Sequence, residues 1–179
     1  MQQDLKNLIS ECWRGKISRE EIISKIATNK SQQSALVRNI FDDIIVSKNS
    51  GEVEYWLTLL LIFEENDEFI DLVHQLILEP WHTQYENIAH NLQRRANVKS
   101  IPFIKKAMQN KYKHLESYGT GTRQFINQCG HALRQIGTKE AVDVIYELSN
   151  ADDPVLKDEM LYRISRIEGR DDYERDHDL

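Results

Sequence analysis

ALRQIGTKEAV, residues 132–142, decides the fold. Gly137 is placed to close one helix in the left-handed conformation, and Thr138 to cap the next through its hydroxyl. Ala141 is small enough to let the second helix approach the first. Ala141, Val144, Ile145 and Leu148 then follow the i, i+3, i+4, i+7 spacing of one apolar helix face. Shifted back by 41 residues, the chain meets itself again without a gap: Ile88-Ala89-His90 falls on Cys129-Gly130-His131, Leu92 on Leu133, Ser100 on Ala141, Ile101 on Val142 and Ile104 on Ile145. A shift of 31 places Leu61 on Leu92, Ile70 on Ile101 and Val73 on Ile104.

Two helices per unit and a period near 40 residues are the marks of HEAT-like repeats. One helix pair cannot bury its apolar face alone, so successive pairs must stack. The expected fold class is all-α, a short HEAT-like α-solenoid of about ten antiparallel helices. Their expected spans are 3–14, 18–27, 32–48, 51–65, 67–79, 83–96, 100–116, 122–136, 138–149 and 154–168. Capping signals punctuate them: Ser18 with Glu21 and Thr83 with Glu86 read as capping boxes, Asn66 precedes Asp67 and Glu68, and Asp153-Pro154 opens the last helix. Connections of two to five residues make sequential helices neighbours. Residues 1–169 are expected to form a single domain with its repeat core at 51–168, and 170–179 a charged, flexible tail.

Composition agrees with helices: 7 Gly and 3 Pro in 179 residues, 40% hydrophobic, 29% charged. Mean hydropathy is −0.58, and no apolar run approaches the length of a membrane span. The N-terminus MQQDLKNLISECW lacks the basic end and apolar stretch of a secretory signal, and two cysteines make no disulfide framework. A cytoplasmic protein is expected. Net charge is −6, unevenly spread. Residues 1–30 carry 6 basic and 4 acidic side chains, 31–80 carry 2 and 10, 81–136 carry 9 and 2, and 137–179 carry 6 and 13. A chain whose main task is binding nucleic acid is usually basic overall. This one offers acidic faces suited to a basic protein partner.

Residues with chemical potential are few. His82, Glu86 and His90 share a stripe at i, i+4, i+8, but three successive turns spread ligands over about 12 Å and a tetrahedral metal site needs them convergent. His90 and His131 coincide in the repeat and read as packing or hydrogen-bonding residues. Cys12 and Cys129 sit at apolar positions and read as buried small hydrophobes. The Gly119-Thr120-Gly121 loop lacks the preceding strand of a phosphate-binding turn, and no nucleophile, metalloprotease or P-loop motif occurs. No enzyme activity, cofactor or metal is therefore expected. Glu64, Glu65, Asp67, Glu68 and Asp71 crowd five carboxylates around one turn, with no Lys or Arg from residue 49 to 93. Arg94, Arg95, Lys99, Lys105, Lys106, Lys111 and Lys113 form the opposite, basic stretch, with Tyr112 and Tyr118 beside it. That stretch suits either RNA or anionic lipid, or a solvated face paired with the acidic segments.

LEPWHTQYENI, residues 78–88, with Ser100-Ile101-x-x-Ile104, Tyr118 and Ala132-Leu133-x-x-Ile136-Gly137, resembles the HEAT-repeat-like immunity proteins encoded beside bacterial polymorphic toxins, including those of contact-dependent growth inhibition systems. The likeness covers roughly residues 55–168, with Tyr85 where the group has His. It implies a cytoplasmic protein that binds a cognate toxin domain one to one and covers its active site. The expected partner surface joins the acidic turn, Glu64, Glu65, Asp67, Glu68 and Asp71, to Trp81, His82, Tyr85 and Tyr118. Nucleic acid and membrane are not expected partners. The other readings are a nucleic-acid-acting helical repeat of the DNA glycosylase type, which needs a strongly basic concave face, and a HEAT-like scaffold.

Overall fold

The structure is a computed structural model that describes residues 1–63, 67–117, 119–170 and 173–175. Helix makes up 76% of it, and the described residues contain no strand. Its contacts divide the chain into two compact units, residues 1–72 and 73–179.

The first unit is built from α1 (Gln3–Trp13), α2 (Arg19–Ile26), α3 (Lys30–Ser47) and α4 (Ser50–Ile62), followed by a 3-10 turn at Asp67–Phe69 and the start of α5 (Ile70–Ile77). The Ser18 capping box forms as the sequence predicts, the Glu21 N–H donating to Ser18 Oγ at 3.2 Å and the Ser18 N–H to Glu21 Oε2 at 2.7 Å. Asn29 and Asn49 cap α3 and α4 in the same manner. Helices α1, α2 and α3 all pack on α4, whose Val53, Trp56, Leu59 and Leu60 are wholly buried. The Trp56 indole donates to the Val37 carbonyl at 3.0 Å and its ring lies 5.1 Å from that of Phe41, which satisfies the one polar atom of this core's largest side chain.

The second unit holds the rest of α5, then α6 (Tyr85–Arg95), a 3-10 turn at Val98–Ser100, α7 (Ile101–Gln109), α8 (Lys113–Glu116), α9 (Gly121–Ile136), α10 (Lys139–Leu148) and α11 (Pro154–Ile167). α9 is its centre: α6, α7, α8, α10 and α11 all touch it, while α7 also meets α10, and α10 meets α11. The Gly137–Thr138 turn forms as expected. Gly137 takes φ +68° at the end of α9, and Thr138 accepts from the Ala141 N–H at 3.3 Å. Asp153 caps α11 with Pro154 in its first turn.

Several boundaries differ from expectation: α3 starts at Lys30 rather than 32, the expected helix 67–79 is a 3-10 turn followed by α5, and two further differences have a structural cause. The predicted helix 100–116 is broken into α7 and α8, because Asn110 is extended and the chain turns to bury Tyr112, whose hydroxyl donates to the Ile77 carbonyl at 2.8 Å. Thr83 and Glu86 do not open α6 as a capping box. The helix starts two residues later than expected, with Gln84 at its N-cap and no side-chain cap. The described residues thus hold eleven α-helices rather than ten. The Asn66 cap lies outside the described residues.

Candidate functional site

The acidic turn is described only in part. Glu64, Glu65 and Tyr118 lie outside the described residues, and Asp67 is placed only as the first residue of its 3-10 turn. Glu68 and Asp71 are exposed. Arg38 lies against Glu68, 4.0 Å from Oε1 and donating to its backbone carbonyl at 3.3 Å, with its guanidinium over the Phe69 ring. Part of the turn's negative field is therefore offset locally.

Trp81, His82 and Tyr85 come together, His82 and Tyr85 in the interior and Trp81 half-buried beside them. Tyr85 is fully buried and His82 is 1% exposed, so the expectation that they face a partner is corrected: they are core. His82 Nε2–H donates to the Leu76 carbonyl at 2.7 Å, and Nδ1 accepts from the Gln84 N–H at 3.2 Å. Both ring nitrogens are used, which removes His82 from any metal stripe with Glu86 and His90, and fixes the neutral tautomer. Burial pulls its pKa down to about 4. Tyr85 stacks on Tyr112 at 4.1 Å, edge-on to Phe125, and donates to the Glu79 carbonyl at 2.9 Å. Burial pushes both phenols up, Tyr112 to about 12. Trp81 is half-buried, its indole donating to Glu79 Oε2 at 2.8 Å. What looked like a recognition motif is a buried aromatic clasp. It ties the link between α5 and α6 to the α7–α8 bend and to α9.

The basic stretch is partly paired with the acidic C-terminal segment. Lys105 meets Glu147 at 2.7 Å and Lys111 pairs with Asp153. Of the cysteines, Cys129 is buried, and its thiol pKa is driven up by desolvation, whereas Cys12 is only half-buried. No three His, Cys, Asp or Glu side chains converge on a metal position among the described residues.

Two arrangements escaped the sequence reading. The first is a surface on α1 and α4. Trp13, 47% exposed, stacks on Tyr55 at 5.0 Å and donates from its indole to Thr58 Oγ at 3.2 Å. Leu61, 40% exposed, continues the stripe along α4 toward the acidic turn. Tyr55, Thr58 and Leu61 recur every three residues, a spacing visible in the sequence but overshadowed by the stronger stripe through Trp56, Leu59, Leu60 and Phe63.

The second is a buried ionic cluster where α11 packs on α9. Arg123 of α9 donates to Asp158 Oδ2 and to Glu159 Oε1, each at 2.7 Å. Arg163, one turn beyond Glu159, is 1% exposed and reaches back to α9, donating to Asn127 Oδ1 at 2.7 Å and lying 3.3 Å from His131 Nδ1. Gly130 makes room for it: a Cβ there would lie 3.1 Å from Met160 and 3.2 Å from the Arg163 Nε. Desolvation lowers the Arg163 pKa to about 10, and burial with neighbouring guanidinium groups lowers that of His131. Over this cluster lies residue 173–175 of the expected flexible tail. Tyr173 donates to Asp158 Oδ1 at 2.7 Å, and Arg175 sits 3.7 Å from the centre of the Tyr162 ring. Compared with known proteins, the chain matches no protein-family model, no curated protein and no solved structure.

Proposed function

We propose that this chain is an immunity protein with a HEAT-like helical-repeat architecture, which neutralises a basic toxin domain by binding it and occluding its active site, without catalysis. The observation that carries the reading is the exposed Trp13–Tyr55 stack in the acidic unit. Residues 1–72 hold 8 basic and 13 acidic side chains, against 15 and 16 in residues 73–179. An aromatic pair already fixed by stacking loses little entropy on binding, and Trp and Tyr are the side chains that most often dominate an interface. The net negative charge of residues 1–72 steers a basic partner toward this unit and raises the association rate. The partner anchors therefore move from Trp81 and Tyr85 to Trp13, Tyr55 and Leu61, with Glu68 and Asp71 as steering charges. In the second unit, the packing of α6 on α9 and of α7 on α10 supports stacked helix pairs, because the 41-residue shift superposes those same helices.

The test is co-expression with the C-terminal domain of whichever large protein the neighbouring upstream gene encodes. The domain alone should stop growth, and this chain should restore it through a 1:1 complex. Trp13→Ala should weaken that complex by roughly 30-fold or more, as loss of an aromatic hot spot does. Reversing Glu68 and Asp71 to Lys should slow association about tenfold at low salt and lose its effect once the Debye length falls below about 8 Å. Absence of a toxic domain, or failure to protect against it, overturns the function. Protection with an unchanged Trp13→Ala affinity overturns the interface.

A further inference from the structure

Glu159 presents a contradiction that the ionic cluster leaves open. Its side chain has no solvent exposure, yet only Oε1 is partnered, by Arg123 at 2.7 Å and by Arg175 at 3.5 Å, while Oε2 has no hydrogen-bond partner. An orphaned buried carboxylate oxygen loses its hydration with nothing in return. A guanidinium carries two parallel N–H groups that match both oxygens of a carboxylate. Arg175 meets Glu159 at 3.5 Å, a distance too long for a good hydrogen bond. The site is shaped for an arginine that its present occupant only half fills.

We infer that Asp158, Glu159 and Tyr162 form a receptor for a tyrosine–arginine side-chain pair, that Tyr173 and Arg175 are its resident and displaceable occupant, and that a partner segment carrying Tyr-x-Arg takes their place. Three features specify the ligand. Asp158 Oδ1 accepts a phenol, as it does from Tyr173 at 2.7 Å. The Tyr162 ring offers its face to a guanidinium, as it does to Arg175 at 3.7 Å. The carboxylates attract guanidinium groups: Arg123 meets both Asp158 and Glu159, Arg163 lies within Coulombic reach of Glu159, and Arg175 is 3.5 Å from it. An open cleft of about 630 Å³ between α11 and the segment, lined by Pro154, Lys157, Asp158, Leu161, Tyr173 and Arg175, gives a second chain room to enter.

Displacement is set by competition. The resident pair lies only a few residues beyond α11, so its effective concentration is of millimolar order. A free peptide must outcompete it in the intact chain, and meets no competitor once Tyr173 and Arg175 are removed. The inference does not depend on the toxin-binding reading, and its test uses no toxin.

The probe is a synthetic peptide with the chain's own sequence 170–179, titrated into the intact protein and into the full-length Tyr173→Ala/Arg175→Ala variant by calorimetry. The variant should bind the peptide at least tenfold more tightly than the intact protein. A peptide with citrulline at the arginine corresponding to Arg175, equal in shape but uncharged, should bind the variant at least tenfold more weakly. Circular dichroism and the thermal midpoint report whether the variant is folded. If it is not, Arg175→Ala alone, which keeps Tyr173 on Asp158, replaces it with the same expected order. No binding to the emptied site, equal binding of the arginine and citrulline peptides, or equal binding by intact and emptied proteins would each overturn the receptor.

Discussion

Acidification should destabilise the second unit through one imidazole. His82 is almost wholly enclosed between the Leu76 carbonyl and the Gln84 N–H, and its pKa falls from 6.5 to about 4 in the fold because burial disfavours the cation. The unfolded chain therefore takes up a proton at a higher pH than the folded one. Stability from this group is complete above the unfolded value. It is lost as the pH drops from 6.5 toward 4, and below that both states are protonated and no more is lost. Between pH 8 and pH 5 the loss comes to about 2 kcal/mol, from about 1.4 kcal/mol for each pH unit in the window.

Urea unfolding followed by circular dichroism at the two pH values measures it, with His82→Gln as the comparison. Glutamine can donate to Leu76 but does not titrate. It should cost about 1–2 kcal/mol at pH 8, for one imperfect and one lost hydrogen bond. At pH 5 the variant should draw level with the wild type, because only the wild type pays for protonation. His131, also depressed, is common to both proteins and cancels in the comparison. A stability difference between the two proteins that is the same at pH 5 and pH 8 would refute the assignment of the acid sensitivity to His82.

Two backbone predictions follow from glycine geometry. Ala96 closes α6 at φ +47°, a conformation that costs an L-residue about 1–2 kcal/mol, so Ala96→Gly should stabilise the protein by about 0.5–1 kcal/mol net of glycine's greater unfolded freedom, read from the denaturation midpoint. Gly130→Ala should do the reverse, by about 1–3 kcal/mol, because the new methyl meets Met160 and Arg163 at 3.1 and 3.2 Å; an unchanged midpoint would mean that this crowding costs no more than the about 1 kcal/mol that alanine gains over glycine within a helix.

The helices were legible wherever apolar periodicity and a cap coincided, as at Ser18, Gly137-Thr138 and Asp153-Pro154. They were misread where one buried side chain overrode local preference. Nothing local in Lys111-Tyr112-Lys113-His114 argues against helix, and only the distant carbonyl of Ile77 explains why the chain bends there to bury a phenol. The same cause misplaced the expected partner surface. Trp81, His82 and Tyr85 are residues of mixed character, apolar bodies with polar tips, and a sequence does not say whether the tip meets water or a carbonyl. Here Leu76, Glu79 and Gln84 supply the partners, so the group belongs inside.

The ionic cluster was hidden for a related reason, although its signal was present. Along α11 the inward stripe runs Leu156, Glu159 with Met160, then Arg163 with Ile164, so two charged residues occupy core positions four residues apart. On an isolated helix such a pair reads as an ordinary surface ion pair, worth a few tenths of a kcal/mol. Its depth comes from α9. Gly130 removes the side chain that would exclude Arg163, while Arg123 and Asn127 approach from the same helix to satisfy what the burial of Glu159 and Arg163 demands. A glycine in the middle of a sixteen-residue helix is unfavourable by about 1 kcal/mol relative to alanine. The repeat places Ala89 at the equivalent position in α6, where no arginine has to be admitted. The departure from the repeat at Gly130 thus marks the place where this chain exchanges helix stability for a buried charge, and that exchange creates the carboxylate surface on which Tyr173 and Arg175 rest.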